Sequence, residues 1–265
     1  MKPCDLCGSL AATPVLDVRG GVYVRCPECG FVYTWPELEQ PPEELNREFF
    51  EQSLQRYVDG NFSARAQKHY ARDLRELRPF LGSGRLLEVG CNVGGFMHCA
   101  QRLGWTPTGV EPVDACAAYA RDRYGLEALT GILEEVELPE NHFDVVYSNA
   151  VLEHIPSPRS AFQAIARVLK PGGVVYTRTV NFDCYTREQI GLDWKLLTPD
   201  CHVSLFSPIT LPRFNEEAGL RVFRVQSNGV RVRKGPAAKL RKAILSFLSR
   251  HTLKGDRIIV WARKG

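Results

Sequence analysis

The feature that most limits what this chain can fold into is an alternation that starts at residue 85. Short apolar runs at Arg85–Val89, Thr108–Glu111, Phe143–Ser148 and Val174–Val180 carry strand character, with a further short strand near Ala128. Between them lie stretches of helical periodicity: about Gly95–Leu103, Val113–Tyr124 and Arg159–Leu169. Strands joined through helices cannot pair as hairpins, so this rhythm demands a mostly parallel sheet with helices on both faces. Ligands in such sheets bind beyond the carboxyl ends of the strands, near the point where strand order reverses. No internal repeat is visible.

Ahead of this core stand four cysteines in two pairs, Cys4-x-x-Cys7 and Cys26-Pro27-x-Cys29. A two-residue gap lets both thiolates of a pair face one cation, and two such knuckles give the tetrahedral four-sulfur geometry of structural zinc. Pro14–Val18 and residues 20–24 read as the hairpin between them, hence a zinc ribbon over residues 1–36. The rival is a pair of disulfides, which the expected cytosolic setting and five further thiols disfavour. Four protein ligands close the site, so it folds the ribbon and does not catalyse. Residues 1–36 balance Lys2, Arg19 and Arg25 against Asp5, Asp17 and Glu28. A neutral ribbon lacks the footprint of a phosphate reader and argues against a nucleic-acid partner.

Residues 37–81 read as a helical linker or lid. A proline-marked stretch from Pro36 to Pro42 is followed by helical periodicity at 43–57 and 62–81. Residues 82–265 form the core. Within it, 229–255 reads as a basic helical insertion, where Leu240, Ile244, Phe247 and Leu248 make an apolar stripe beside Lys239, Arg241, Lys242 and Arg250. Residues 231–265 hold eleven Lys or Arg and one acid, Asp256, although the whole chain carries only +4. Such an end suits an anionic partner or, more blandly, a solvated helix face. No run approaches the roughly 18 apolar residues that span a bilayer, so the expected compartment is the cytoplasm.

The turn after the first core strand reads Leu86-Leu87-Glu88-Val89-Gly90-Cys91-Asn92-Val93-Gly94-Gly95. Glycine at 90 and 94 permits a sharp turn and close backbone approach to a ligand. The next strand ends Gly109-Val110-Glu111-Pro112, which places an acid about twenty residues on, where it can accept hydrogen bonds from ribose hydroxyls. NAD and S-adenosylmethionine both satisfy that much.

These segments, with HFDVVYSNAVLEHIPSP at 142–158 and LKPGGVVYTRTV at 169–180, resemble the class I S-adenosylmethionine-dependent methyltransferases over about residues 82–228. The resemblance implies a Rossmann-like α/β core with a seven-stranded, doubly wound, mostly parallel sheet, its last strands at Arg221–Gln226 and Arg257–Ala262. It also implies that Glu88 and Gly90 lie near the methionine end of the cofactor and that Glu111, with Pro112 after it, holds the ribose. Ile132 and Leu133 would flank the adenine, with Ser148 and Asn149 closing the pocket. Asn92 stands where the family usually has glycine, and asparagine tolerates left-handed backbone better than most residues. The ribbon and the phrase CPECGFVYTWP further resemble a bacterial group acting on sugars and other small metabolites. In its sugar C-methyltransferases a His stands shortly before Phe-Ser, matched here by His202 ahead of Phe206-Ser207. Those enzymes carry a further C-terminal domain, whereas the sequence here runs to Gly265, and a Tyr three residues before that His, where this chain has Pro199. Oxygen methylation of a sugar or natural product is therefore the expectation.

A sulfonium methyl is already electrophilic, so the protein's task is alignment and removal of the acceptor's proton. His202 leads as general base, and His154, in Leu152-Glu153-His154-Ile155-Pro156, is second; either also reads as a histidine bonded to loop backbone. Tyr57, Tyr185 and Trp194 read as acceptor-site walls or as core. If the basic insertion borders the pocket, the acceptor is anionic or nucleotide-linked. The alternatives are an RNA base methyltransferase with a zinc ribbon and a cofactor-binding scaffold without activity; a dehydrogenase fits least.

Overall fold

The computed structural model describes residues 2–18, 21–36, 64–81 and 84–265. The linker and first helix expected between Pro36 and residue 57, Tyr57 included, lie outside the described residues from 37 on. The expected second helix is observed as α1, Ala64–Leu81.

The core strands and helices follow the alternation. They are β4 (Arg85–Val89), α2 (Gly95–Arg102), β5 (Thr106–Glu111), α3 (Asp114–Tyr124), β6 (Glu127–Thr130), β7 (Phe143–Asn149), α4 (Pro158–Val168) and β8 (Leu169–Val180). Strands β10 (Leu220–Asn228) and β11 (Arg257–Lys264) complete a seven-stranded mixed sheet in the order β10-β11-β8-β7-β4-β5-β6. Pairing of β4 with β5, β4 with β7 and β5 with β6 is parallel. Helix α3 shows why these segments stop where they do. Asp114 in its first turn and Arg121 and Arg123 in its last oppose the helix dipole, and Gly125 closes it at φ 63°.

Before the core, β1 (Thr13–Val18), β2 (Gly21–Arg25) and β3 (Val32–Thr34) form the expected hairpin and one further strand. Their sheet has a fourth strand drawn from far along the chain, β9 (Ser204–Leu205), antiparallel to β3. The sequence reading missed β9, as two residues carry no periodicity. It also missed α5 (Tyr185–Ile190) and α6 (Thr210–Glu217). Pro212 disguises α6, although proline is tolerated in a first turn. Helix α7 (Ala238–Thr252) occupies the anticipated insertion between β10 and β11.

The chain builds two compact units. One comprises the ribbon with Asn149–Gln163 and Tyr176–Arg263, and the other runs up to Ser148 and takes in Ala164–Val175. In the ribbon-bearing unit Val18, Tyr23, Val32, Val180, Phe182, Trp194, Leu197 and Leu205 share one core. Trp194 is thus core packing, while Tyr185 stays partly exposed beside Lys254. In the other unit, Phe96 stacks on Tyr147 at 3.8 Å, and the Tyr147 hydroxyl donates to buried Asp73 of α1 at 2.9 Å.

Candidate active site

Three parallel strand ends converge in the second unit. Val89 of β4 lies opposite Val110 of β5 on one side and Ser148 of β7 on the other. The chain then turns through Gly90, Asn92 and Gly94, all left-handed, with φ of 71°, 49° and 77°. The Gly90 and Cys91 N–H groups both donate to the Val110 carbonyl, at 2.8 and 3.1 Å. Asn92 occupies its left-handed place as expected of that side chain, its Oδ1 accepting from the Val93 N–H at 2.7 Å. Glycine at 109 is required because a Cβ there would meet Cys91 Sγ and Met97 Sδ, each at 2.5 Å. Those two side chains pack the underside of the turn against β5.

Glu111 fastens this turn. Its two oxygens accept from the Asn92 N–H at 2.9 Å and the Val113 N–H at 3.1 Å. Burial pushes its carboxyl up to about 7, against the pull of those two N–H donors. Burial raises Glu88 well above the usual carboxylate range too, with the Met97 N–H opposing and Glu111 adding to the rise. Glu88 Oε2 and Ser148 Oγ are buried with no hydrogen-bond partner among the described residues. Buried polar atoms are ordinarily paired, and these two lie on neighbouring strands of the same edge. Pro112 is exposed and starts the turn into α3. After β6 and Gly131, Ile132 is 43% exposed while Leu133 is buried, so only Ile132 presents a free apolar face. Asn149 is half-buried, and Ala150 after it is left-handed at φ 59°.

The ribbon-bearing unit holds two further clusters. Cys4, Cys7, Cys26 and Cys29 bring their sulfurs within 4.8 Å of one another, with Cys4–Cys29 and Cys7–Cys26 at 3.5 Å. Each knuckle closes in the same way: Gly8 N–H donates to the Cys4 carbonyl and Gly30 N–H to the Cys26 carbonyl. All four cysteines are free thiols, with no disulfide between them.

The second cluster unites the two histidines that the sequence singled out separately. The His154 and His202 rings lie 5.0 Å apart between centroids. His202 Nδ1 is 2.8 Å from the Leu196 carbonyl, and His154 Nδ1 is 2.9 Å from the Cys201 carbonyl and 3.3 Å from Cys201 Sγ. Cys201 was not anticipated at this site; its adjacency to His202 was the available signal. Glu153 lies beneath, fully buried, accepting from Thr179 Oγ1 at 2.6 Å and Arg257 Nη1 at 2.9 Å. Burial opposes its ionisation, but Arg257, the two histidines and Thr179 together hold its carboxyl below the usual range. Burial lowers His202 despite the Glu153 charge, which favours neutral imidazole.

The ribbon anchors both histidine segments. Tyr23 Oη donates to the His202 carbonyl at 2.9 Å, and β9 begins two residues after His202. On the other side, Ser204 Oγ donates to the Ile155 carbonyl at 2.8 Å, and Arg159 donates to the Asp5 and Leu6 carbonyls of the first knuckle at 2.7 and 2.6 Å. None of these ties spans fewer than 49 residues, which is why the sequence did not display them.

A family model described as a methyltransferase domain matches residues 62–225. That is more than half of the chain, which therefore belongs to this family and is an S-adenosylmethionine-dependent methyltransferase. Among curated relatives, a ubiquinone biosynthesis O-methyltransferase of Maricaulis maris is 34% identical over 125 residues, covering 44% of this chain and 49% of that protein. The chain thus spans about half the length of that relative. One from Pseudomonas putida strain GB-1 is 33% identical over 160 residues, covering 55% of this chain and 68% of that protein. Among solved structures, a Thermotoga maritima methyltransferase described as a possible histamine N-methyltransferase superposes with a TM-score of 0.58 at 20% identity. It covers 84% of this chain and 99% of that one, and supports the fold. No helix among the described residues is long and apolar enough to cross a membrane.

Proposed function

We propose that the protein transfers the methyl group of S-adenosylmethionine to a hydroxyl oxygen of a small molecule, a sugar or natural product. The observation that carries this reading is the pair of buried, unpartnered polar atoms, Glu88 Oε2 and Ser148 Oγ, at an edge that also holds Glu111. Two buried carboxyl groups suit a donor bearing an ammonium and a sulfonium, whereas a dinucleotide would bring a pyrophosphate toward them. In this reading Glu88 and Gly90 serve the methionine end, Glu111 accepts from the ribose hydroxyls, and Ile132 covers the adenine. Bound there, the donor supplies an activated methyl for in-line attack.

The relatives named as O-methyltransferases support oxygen as the atom methylated. A hydroxyl acceptor must lose a proton, and neutral His202 is the proposed base, with His154 as the second histidine. The Cys4–Cys7–Cys26–Cys29 cluster is proposed to hold zinc, the metal that four thiolates select; its role is to keep both histidine segments in place. Should α7 border the acceptor pocket, the charges of Lys239, Arg241, Lys242 and Arg250 favour an anionic or nucleotide-linked acceptor. The domain scheme of a ribbon over 1–36, a linker over 37–81 and a core over 82–265 belongs to the same reading, as does a cytoplasmic setting.

Incubation with methyl-labelled S-adenosylmethionine and a panel of phenols, sugars, nucleotide sugars and RNA tests the proposal. Label should enter a hydroxyl compound, and His202→Ala should slow its transfer about 100- to 10,000-fold. Label in RNA alone, or equal rates for His202→Ala and the native chain, would overturn the assignment.

A further inference from the structure

Helix α7 turns its apolar side outward. At about 100° per residue, Leu240, Ile244, Phe247 and Leu248 fall within an arc of about 100°. All four are exposed, Leu240 at 66% and Phe247 at 63%. The opposite side is the one that meets the ribbon-bearing unit: Ser249 is the helix's one buried residue, and Leu245 and Ser246 are half-buried. A helix that served only to pack on its own domain would bury the leucines and expose the serines. The base of the helix is fastened. Ser227 Oγ donates to the Ser249 carbonyl at 2.8 Å and accepts from the Gly255 N–H at 3.0 Å, and the Asp256 N–H donates to the Gly229 carbonyl at 2.7 Å. Asn181 Nδ2 donates to the Leu253 and Gly255 carbonyls just beyond the helix, each at 2.8 Å. The stripe is therefore presented by a helix already formed and held.

Cations flank the stripe. On the same projection Arg241 lies along one edge and Lys239 and Arg250 along the other, with Lys242 toward the base, and all four are exposed. None of the four forms a salt bridge or a side-chain hydrogen bond among the described residues. No acid occurs between Glu217 and Asp256. An apolar row with cations on both flanks is the pattern of a helix that lies in a membrane interface, its long basic side chains reaching back to the head groups. We propose that α7 docks the protein on an anionic lipid bilayer, the stripe entering the acyl boundary and Lys239, Arg241 and Arg250 meeting lipid phosphates. A second copy of the chain fits this face less well, because like cations would oppose one another across it. A fluid head-group layer, by contrast, matches cations that no partner holds in place. With 15 residues the helix is too short to cross the bilayer, so docking is peripheral. An anionic acceptor would account for the cations but not for the exposed apolar row, and docking does not depend on the methyl-transfer reading.

Flotation of the intact chain with lipid vesicles tests this. The chain should float with vesicles of phosphatidylcholine containing phosphatidylglycerol and not with phosphatidylcholine alone, and added salt should weaken the association. Leu240→Ser combined with Phe247→Ser should cut the affinity about tenfold or more. Arg241→Gln and Arg250→Gln should each cut it about fivefold, with circular dichroism confirming that every variant folds. Phe247→Trp keeps the stripe apolar and reads insertion directly: its added emission should shift to the blue on anionic vesicles and be quenched by brominated acyl chains. No flotation with anionic vesicles overturns the proposal. So does flotation that the double serine variant retains in full, since charge alone would then explain it, and so does an added indole that lipid bromines never quench. A blue shift that instead grows with protein concentration, or that appears with an acidic amphipathic peptide while vesicles have no effect, assigns the stripe to a second copy or to a protein partner and overturns it as well.

Discussion

The turn between β4 and α2 and the histidine cluster of the ribbon-bearing unit solve one problem, placing polar groups in a buried setting, by opposite means. The turn uses backbone. Gly90, Asn92 and Gly94 take left-handed conformations, main-chain N–H groups provide the contacts, and Glu111 pins the arrangement from the neighbouring strand. The histidine cluster uses side chains from four distant segments, held by a buried carboxylate that spends both oxygens on Thr179 and Arg257. A backbone site tolerates changes at most side chains but not at its glycines or its one fastening acid. A side-chain site depends on its buried acid, since removing Glu153 leaves Arg257 and Thr179 without their partner.

The largest effect that would sharpen this contrast is expected at Glu153. Glu153→Ala leaves Arg257, whose side chain is 26% exposed, without its buried partner and should lower stability by about 3 kcal/mol, the low end for a broken buried pair. Denaturant unfolding reads this directly, and a loss below about 1 kcal/mol, the worth of an exposed pair, would mean that the cluster is not side-chain-held. Acidification should act in the same direction. A carboxyl held below its unfolded value stabilises the fold above that value, and the contribution is lost as pH falls through the folded value.

Next in size is Glu111→Ala. It removes a charge-assisted acceptor from the proposed ribose site and should weaken S-adenosylmethionine by about 1.5–3 kcal/mol, with calorimetry as the readout. Affinity unchanged by this substitution would detach Glu111 from the ligand.

The smallest effect is in pH. The Glu111 carboxyl, raised by burial to about 7, lies above its unfolded value. The folded chain therefore binds more protons than the unfolded chain between these values, and ligand-free stability falls as pH rises through that window. Binding runs the other way, because ribose hydroxyls donate to the ionised form. Affinity should increase up to about tenfold from pH 6 to pH 8, and Glu111→Gln should flatten the profile.

The same contrast decides what could be read from sequence. Residues 85–111 encode their strand, turn and acid within a short span, because parallel β4 and β5 are joined by one helix and their partners are fixed by register. The four cysteines are legible for a similar reason, since each knuckle is local. Cys201 stands beside His202 but belongs to no Cys-x-x-Cys pair, so its place at the histidines was not legible from spacing. Glu153, Thr179, Arg257 and Tyr23 converge on the histidines only through long-range pairing, above all of two-residue β9 with β3. Ile132 and Leu133, both expected beside the adenine, differ in exposure, Ile132 at 43% and Leu133 buried, a difference that two adjacent apolar residues do not display in sequence.

The central claim is that the β4–β5 edge holds an S-adenosyl nucleoside through buried acids. Calorimetric titration of the intact chain with S-adenosylmethionine and, separately, with NAD tests it most directly. The account predicts one saturable site for S-adenosylmethionine, weakened by Glu111→Ala, and no binding of NAD at matching concentrations. Tighter binding of NAD, or no heat with S-adenosylmethionine from a chain that circular dichroism shows to be folded, would contradict it.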